Sequence, residues 1–179
     1  ALSELTQLRG LSLSSGLADI SVLSSLTQLM RLDLKGCRKL TDIGVLSKLT
    51  QLTWLNLDTQ SEVRDFSALS ELIQLTSLNL HCCLSLKEVS VLSRMTQLKS
   101  LNLHRCSKVR TLDPLASCSQ LETLDVRDCL RLSSIEPVRE ISTLRKLEGF
   151  HPDQTAELLA HTAVLRGDRA YIDANAKRW

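Results

Sequence analysis

A nine-residue frame, L-x-x-L-x-x-L-x-L, recurs along most of this 179-residue chain and leaves few ways for it to fold. It is clearest at Leu49-Thr50-Gln51-Leu52-Thr53-Trp54-Leu55-Asn56-Leu57. The frame starts at Leu5, Leu26, Leu49, Leu72, Met95 and Cys118, with a spacing of 21 residues once and 23 thereafter. A seventh copy begins at Ile141 and runs through Leu144 and Leu147, but carries Gly149 where an aliphatic residue belongs. Beyond each frame the register continues in further columns. The first is Cys37, Gln60, Cys83, Cys106 and Cys129, and the next is Leu40, Val63, Leu86, Val109 and Leu132. Then come Ile43, Phe66, Val89, Leu112 and Ile135, followed by Leu46, Leu69, Leu92, Leu115 and Val138. Each turn therefore aims about eight apolar side chains inward, too many to bury alone, and stacking turns makes them one continuous core.

The L-x-L end of the frame alternates apolar and polar residues and predicts a short strand; strands one turn apart must then pair in parallel. The other half of the repeat places an apolar residue every third position, as in Leu40, Ile43, Leu46 and Leu49. That spacing suits short 3₁₀ or helical turns better than a long helix. Asp19, Asp42, Asp65 and Glu88 stand just before these segments, where a carboxylate can cap free backbone N–H groups, and Asp113-Pro114 and Glu136-Pro137 read as the same start signal.

Hydrophobic residues make up 43% of the chain and aromatics only 3%, so the core must be aliphatic. The net charge of +2, with charges dispersed along the sequence, offers no basic stripe for phosphates, so no nucleic-acid partner is expected. No apolar run approaches the roughly 18 residues of a membrane span, so no membrane insertion is expected. The chain opens on Ala1-Leu2-Ser3-Glu4, with neither an initiator Met nor the regions of a signal peptide, which suggests a boundary within a longer product and leaves targeting open.

The pattern resembles the leucine-rich-repeat superfamily over roughly residues 2 to 150. Leu32-Asp33-Leu34-Lys35-Gly36-Cys37-Arg38-Lys39-Leu40-Thr41-Asp42 looks like the cysteine-containing class, and the 23-residue period with its Leu-Ser-x-Leu-Thr-Gln-Leu junctions resembles repeat proteins of trypanosomes and leishmanias. Similar 3₁₀-side segments occur in bacterial internalin-type proteins and in phosphatase-regulating repeat proteins. The resemblance implies an α/β solenoid, a leucine-rich-repeat horseshoe with a parallel concave β-sheet, short 3₁₀ or helical convex segments and a C-terminal helical cap. It also implies protein recognition on the concave sheet and no catalysis by the repeats. The expected division is a solenoid over 1–150, of about seven repeats with the first and last atypical, and a cap over 151–179.

The residues flanking the inward leucines should form the concave face. Its central column reads Ser12, Asp33, Asn56, Asn79, Asn102, Asp125 and Glu148; the column before it reads Gly10, Arg31, Trp54, Ser77, Ser100, Thr123 and Lys146; the one after reads Ser14, Lys35, Asp58, His81, His104, Arg127 and Phe150. The candidate partner-binding residues are Arg31, Asp33, Lys35, Trp54, Asn56, Asp58, Asn79, His81, Asn102, His104, Asp125 and Arg127. Trp54 is the large aromatic amid this polar face, and Trp and Arg dominate interface hot spots; it can equally lie flat over its neighbours' aliphatic stems. His81 and His104, one repeat apart, should stand about 5 Å from each other. With Asp58 or Asp125 they can attract a transition metal, but no third ligand has a compelling place, and no cofactor is expected. A Ser77-His81-Asp58 triad lacks an oxyanion hole on an open sheet, so the chain is not expected to be an enzyme.

Cys37, Cys83, Cys106 and Cys129 share one inward column, so their Cβ vectors run parallel, which opposes disulfides. Free thiols suit a reducing compartment and an intracellular, cytoplasmic location. The Arg166-Gly167-Asp168 tripeptide matches an integrin-binding motif, but Gly167 reads first as a helix stop. After Phe150 a helix-like stretch opens at Pro152-Asp153 with Ala156, Leu158, Leu159, Ala163, Val164 and Leu165 on one side, suited to cover the last turn; recruitment of a separate partner is the rival reading. Three functional readings stand: a protein-interaction scaffold binding its partner on the concave face, the substrate-recognition arm of a larger multidomain protein such as a ubiquitin-ligase receptor, or a purely structural surface coat.

Overall fold

The computed structural model describes residues 2–13, 16–149, 156 and 159–161. Seven strands of three residues each form one sheet in chain order: β1 (Gly10–Ser12), β2 (Arg31–Asp33), β3 (Trp54–Asn56), β4 (Ser77–Asn79), β5 (Ser100–Asn102), β6 (Thr123–Asp125) and β7 (Lys146–Glu148). Every neighbouring pair is parallel and aligned by the repeat, Arg31 beside Trp54 and Trp54 beside Ser77. Between strands the chain returns through 3₁₀ turns, among them Ser21–Ser25, Gly44–Lys48, Ser67–Glu71, Ser90–Leu92, Asp113–Ser117 and Glu136–Val138. A 23-residue repeat has length for one strand, two corners and one short turn, so no long helix fits.

The core is the aliphatic columns. Leu32, Leu55, Leu78, Leu101 and Leu124 alternate along the sheet with Leu34, Leu57, Leu80 and Leu103, and all are buried against the leucines of the 3₁₀ side. Phe66 takes the place of Ile43 and Val89 in its column and is buried as they are.

Three polar devices recur with the repeat. First, Asp19, Asp42 and Asp65 accept the backbone N–H of Ser21, Gly44 and Ser67 at 2.7, 2.7 and 2.8 Å, satisfying donors at the start of the 3₁₀ turns. In the later repeats the same position is Thr111 and Ser134, whose hydroxyls accept from Asp113 and Glu136. The start signal assigned from sequence to Asp113-Pro114 and Glu136-Pro137 is thus displaced by two residues, because Asp113 and Glu136 already lie inside their turns.

Second, the residue after each strand's corner adopts a left-handed backbone: Gly36 (φ 75°), Thr59 (64°), Cys82 (58°), Arg105 (63°) and Asp128 (56°). Where described, its N–H reaches the next repeat, as in Thr59 to the His81 carbonyl at 2.9 Å and Cys82 to the His104 carbonyl at 2.8 Å. Cys82 is therefore a corner residue, half-buried and outside the thiol column.

Third, the column cysteines donate Sγ–H to a carbonyl of the preceding repeat: Cys83 to Leu57 at 3.3 Å, Cys106 to Leu80 and Cys129 to Leu103 at 3.1 Å, and Cys37 to Leu13 at a longer 3.6 Å. Gln60 does the same with its amide, Nε2 to the Leu34 carbonyl at 2.6 Å, while its buried Oε1 has no hydrogen-bond partner. All six cysteines are free. Burial pushes the thiols up, Cys83 to about 12, Cys118 and Cys129 to about 11, and Cys37 and Cys106 upward as well.

At the last repeat, Gly149 (φ 93°) stands where the inward leucine column would continue, and a Cβ there would overlap the Arg127 backbone. Of the expected C-terminal cap, Ala156, Leu159, Ala160 and His161 are described and helical; Leu159 packs against the core and Ala160 is buried. The rest of that segment, Phe150 and the Arg166-Gly167-Asp168 tripeptide lie outside the described residues, as does Ser14.

Candidate functional site

The sheet's outward face gathers all twelve residues singled out from the sequence, because each strand's pleat turns its flanking residues away from the leucines. Their roles differ. Asp33, Asn56, Asn79, Asn102 and Asp125 each accept, through Oδ1, the backbone N–H two residues on, at 2.8 to 3.0 Å. This column ends each strand and presents to a partner only what its remaining polar atoms leave. Asn56 is buried outright.

The following column is a chain of charge pairs. Asp58, 6% exposed, receives His81 Nδ1 at 2.7 Å on one oxygen and Lys35 Nζ at 3.1 Å on the other. Burial pushes its carboxyl up, but the hydrogen bonds and charge of His81 and Lys35 outweigh that and hold it below the usual carboxylate range. The His81 and His104 rings stand 4.8 Å apart at 44°, at the spacing expected from the strands. His104 Nε2 lies 3.3 Å from Asp128, not against Asp125. Arg127 forks onto Asp125 and reaches Glu148 at 3.2 Å, while Lys146 pairs with Glu148 at 2.6 Å. Burial pushes the Asp125 carboxyl up as well, and the Arg127 hydrogen bonds and charge bring it below the ordinary range.

No hydrogen bond joins His81 to Ser77 among the described residues; the imidazole is turned to Asp58. Thr123 instead donates to the Ser100 hydroxyl at 2.9 Å along the first column. Among the described residues no group of three or more His, Cys, Asp or Glu is placed to hold a metal ion, and no helix is long and apolar enough to cross a membrane.

The N-terminal part of the face differs from the rest. The Arg31 guanidinium lies over the Trp54 ring, 4.7 Å from its centroid, and the ring is half-buried. Beside them Gly10 and Ser12 supply almost no side chain, leaving a hollow of about 340 Å³ lined by Gly10, Leu11, Ser12, Arg31, Asp33 and Trp54. Sequence reasoning found Trp54 but not the hollow, whose signal was the two small residues opposite Arg31 and Asp33 in the register. It also missed Asp128, visible only as a member of a 23-residue column, and it placed Gln60 in the inward column without the amide bond to the Leu34 carbonyl.

The chain is a leucine-rich-repeat solenoid. It is similar to an internalin (inlF) from Listeria monocytogenes, at 29% identity and a TM-score of 0.73 over 83% of this chain. It spans 43% of that protein's length. Internalin C2 (inlC2) from the same organism matches with a TM-score of 0.62 at 24% identity, over 88% of this chain and 80% of that one, a likeness of fold. No family model and no curated protein matches. The leucine-rich-repeat and internalin-type resemblances read from the sequence are thus met, while the cysteine-containing, trypanosome-type resemblance finds no support in these two structures.

Proposed function

We propose that this chain is a protein-binding scaffold that takes its partner on the outward face of the sheet, anchored at Arg31 and Trp54. The observation that carries the reading is the contrast along that face. From Lys35 to Glu148 the charged side chains neutralise one another, whereas at β1 to β3 a half-buried Trp lies under a guanidinium beside an open hollow. Trp and Arg in a recess of this kind combine apolar area with directional donors, the composition of interface hot spots. The leucine-rich-repeat fold, whose common use is protein recognition, supports the same reading. Six free thiols support a reducing compartment.

The test is affinity capture followed by titration of the captured protein. Trp54→Ala should weaken binding by about 2 kcal/mol or more, over tenfold. Its thermal midpoint should stay near the parent's. Lys48→Ala and Glu71→Ala, on the 3₁₀ side, should leave binding unchanged. A partner that binds the Trp54→Ala, Arg31→Ala double variant as tightly as the parent would remove the sheet face from consideration.

A further inference from the structure

The register that builds the sheet also builds a second charged surface, on the flank between the strand corners and the 3₁₀ turns. Arg64, Lys87 and Arg110 occupy one position in three successive repeats, and Lys108 and Arg131 stand two residues before that position in the last of these and the next. The sequence disperses these five cations over some seventy residues, and the fold collects them.

Two adjoining hollows of about 560 and 530 Å³ open among them, sharing Lys87, Glu88, Ser90 and Lys108. Phe66 and Leu86, both buried, and the half-buried Val91 give the first an apolar floor, and Pro114 does so for the second. All five cations are exposed, and none forms an ion pair with a described residue, unlike Lys35, Arg127 and Lys146 on the sheet face. Two carboxylates line the hollows. Asp65 accepts the Ser67 N–H, and Glu88 stands at the equivalent position one repeat on.

We propose that this flank binds a short acidic peptide segment lying across the repeats. Five cations against two carboxylates leave a local positive excess, and none of the five has an ion-pair partner among the described residues. Charge complementarity therefore selects an acidic ligand. The apolar floor suits peptide side chains better than a sugar-phosphate strand, and the interposed Asp65 and Glu88 break the uninterrupted cationic track that a phosphate backbone needs. Repeats about 4.8 Å apart set cations at a pitch of the same order as the same-face spacing of an extended peptide, about 6.6 Å. Arg64, Arg110 and Arg131 can each grip a carboxylate through two parallel N–H groups. This surface is separate from the Arg31–Trp54 anchor, and its reading stands or falls independently of that one.

The experiment is fluorescence anisotropy on the full chain with labelled hexaglutamate, hexaglutamine and a single-stranded thymidine oligonucleotide. Hexaglutamate should bind, more weakly as salt rises, and the Lys87→Gln, Arg110→Gln double variant should bind roughly tenfold more weakly. Lys87→Arg with Arg110→Lys should retain binding, and Trp54→Ala should leave it unchanged. Hexaglutamine binding as well as hexaglutamate, a double Gln variant equal to the parent, loss of binding in Trp54→Ala, or tighter binding of the oligonucleotide would each overturn the proposal.

Discussion

At the scale of single residues, Asp58 is the most committed group on the sheet face, buried yet ionised between His81 and Lys35. Its folded pKa lies below the unfolded value, so the stability it contributes is complete above the ordinary carboxylate pKa of about 3.9 and is lost as pH falls through its lower folded pKa. Asp58→Asn should flatten the acid limb of the thermal stability profile, read by circular dichroism from pH 7 to pH 2; an unchanged limb would place the acid sensitivity elsewhere. The thiols have the opposite sign. Cys83, Cys118 and Cys129 are raised from an ordinary value of 9.0 to between about 11 and 12, so their contribution is full below pH 9 and drains away as pH climbs through that window. Chemical denaturation at pH 8 and pH 10.5 should show the fall, and Cys82, half-buried at its corner, should label first among the six in native protein. Prompt labelling of all six would contradict the column. That Cys37, Cys83, Cys106 and Cys129 point inward was legible from their spacing. That each of the four column thiols donates to a carbonyl of the preceding repeat was not, because sequence register places side chains but not the lone pairs they meet.

The element most informative about the fold is the strand corner. Its left-handed residue is Gly36 once and then Thr59, Cys82, Arg105 and Asp128, each holding a conformation that glycine adopts at no steric cost. Arg105→Gly should therefore stabilise the protein, by up to about 1 kcal/mol, in a urea titration; a loss of stability would show that the Arg105 side chain, 3.5 Å from Asp128, contributes more than the strain costs. Gly149 is the reverse case, and Gly149→Ala should be strongly destabilising because its Cβ has no room against Arg127. The strands, the 3₁₀ turns and the aliphatic columns were all readable from period 2 and period 3 patterns in the sequence. The corners were not, since Gly36 and Asp128 carry residue types that favour a positive φ but Thr59, Cys82 and Arg105 do not. The caps were half-legible: Asp19, Asp42 and Asp65 were seen, and Thr111 and Ser134 were obscured by the stronger Asp-Pro and Glu-Pro signals beside them. On the sheet face the register located all twelve candidates, yet it could not say that five of them spend an oxygen on their own backbone.

The whole molecule is a row of like units, each buried only by its neighbours, and stability should travel along it as a nearest-neighbour property. Leu78→Ala, in the central strand, should cost about 2 to 5 kcal/mol and separate the unfolding of the two halves, a broadened transition that a globular core of the same size would not give. The ends are the exception to this uniformity. Leu159 packs against the hydrophobic core, Ala160 is buried, and His161 stands 3.4 Å from Glu140 of the last repeat. A chain stopped at Gly149 should associate with itself, checked by sedimentation velocity, and a monomer of unchanged melting temperature would reduce residues 150–179 to a tail. The form of that association follows from the parallel order of β1 to β7. Each edge of a parallel sheet carries both N–H and C=O groups, so the bared edge of β7 can meet the opposite edge of another copy in the parallel register that joins the repeats within the chain. Copies that add head to tail, like the repeats within them, never close and grow into a filament of indefinite length, whereas β7 paired antiparallel with a second β7 stops at a dimer, and sedimentation velocity separates the two.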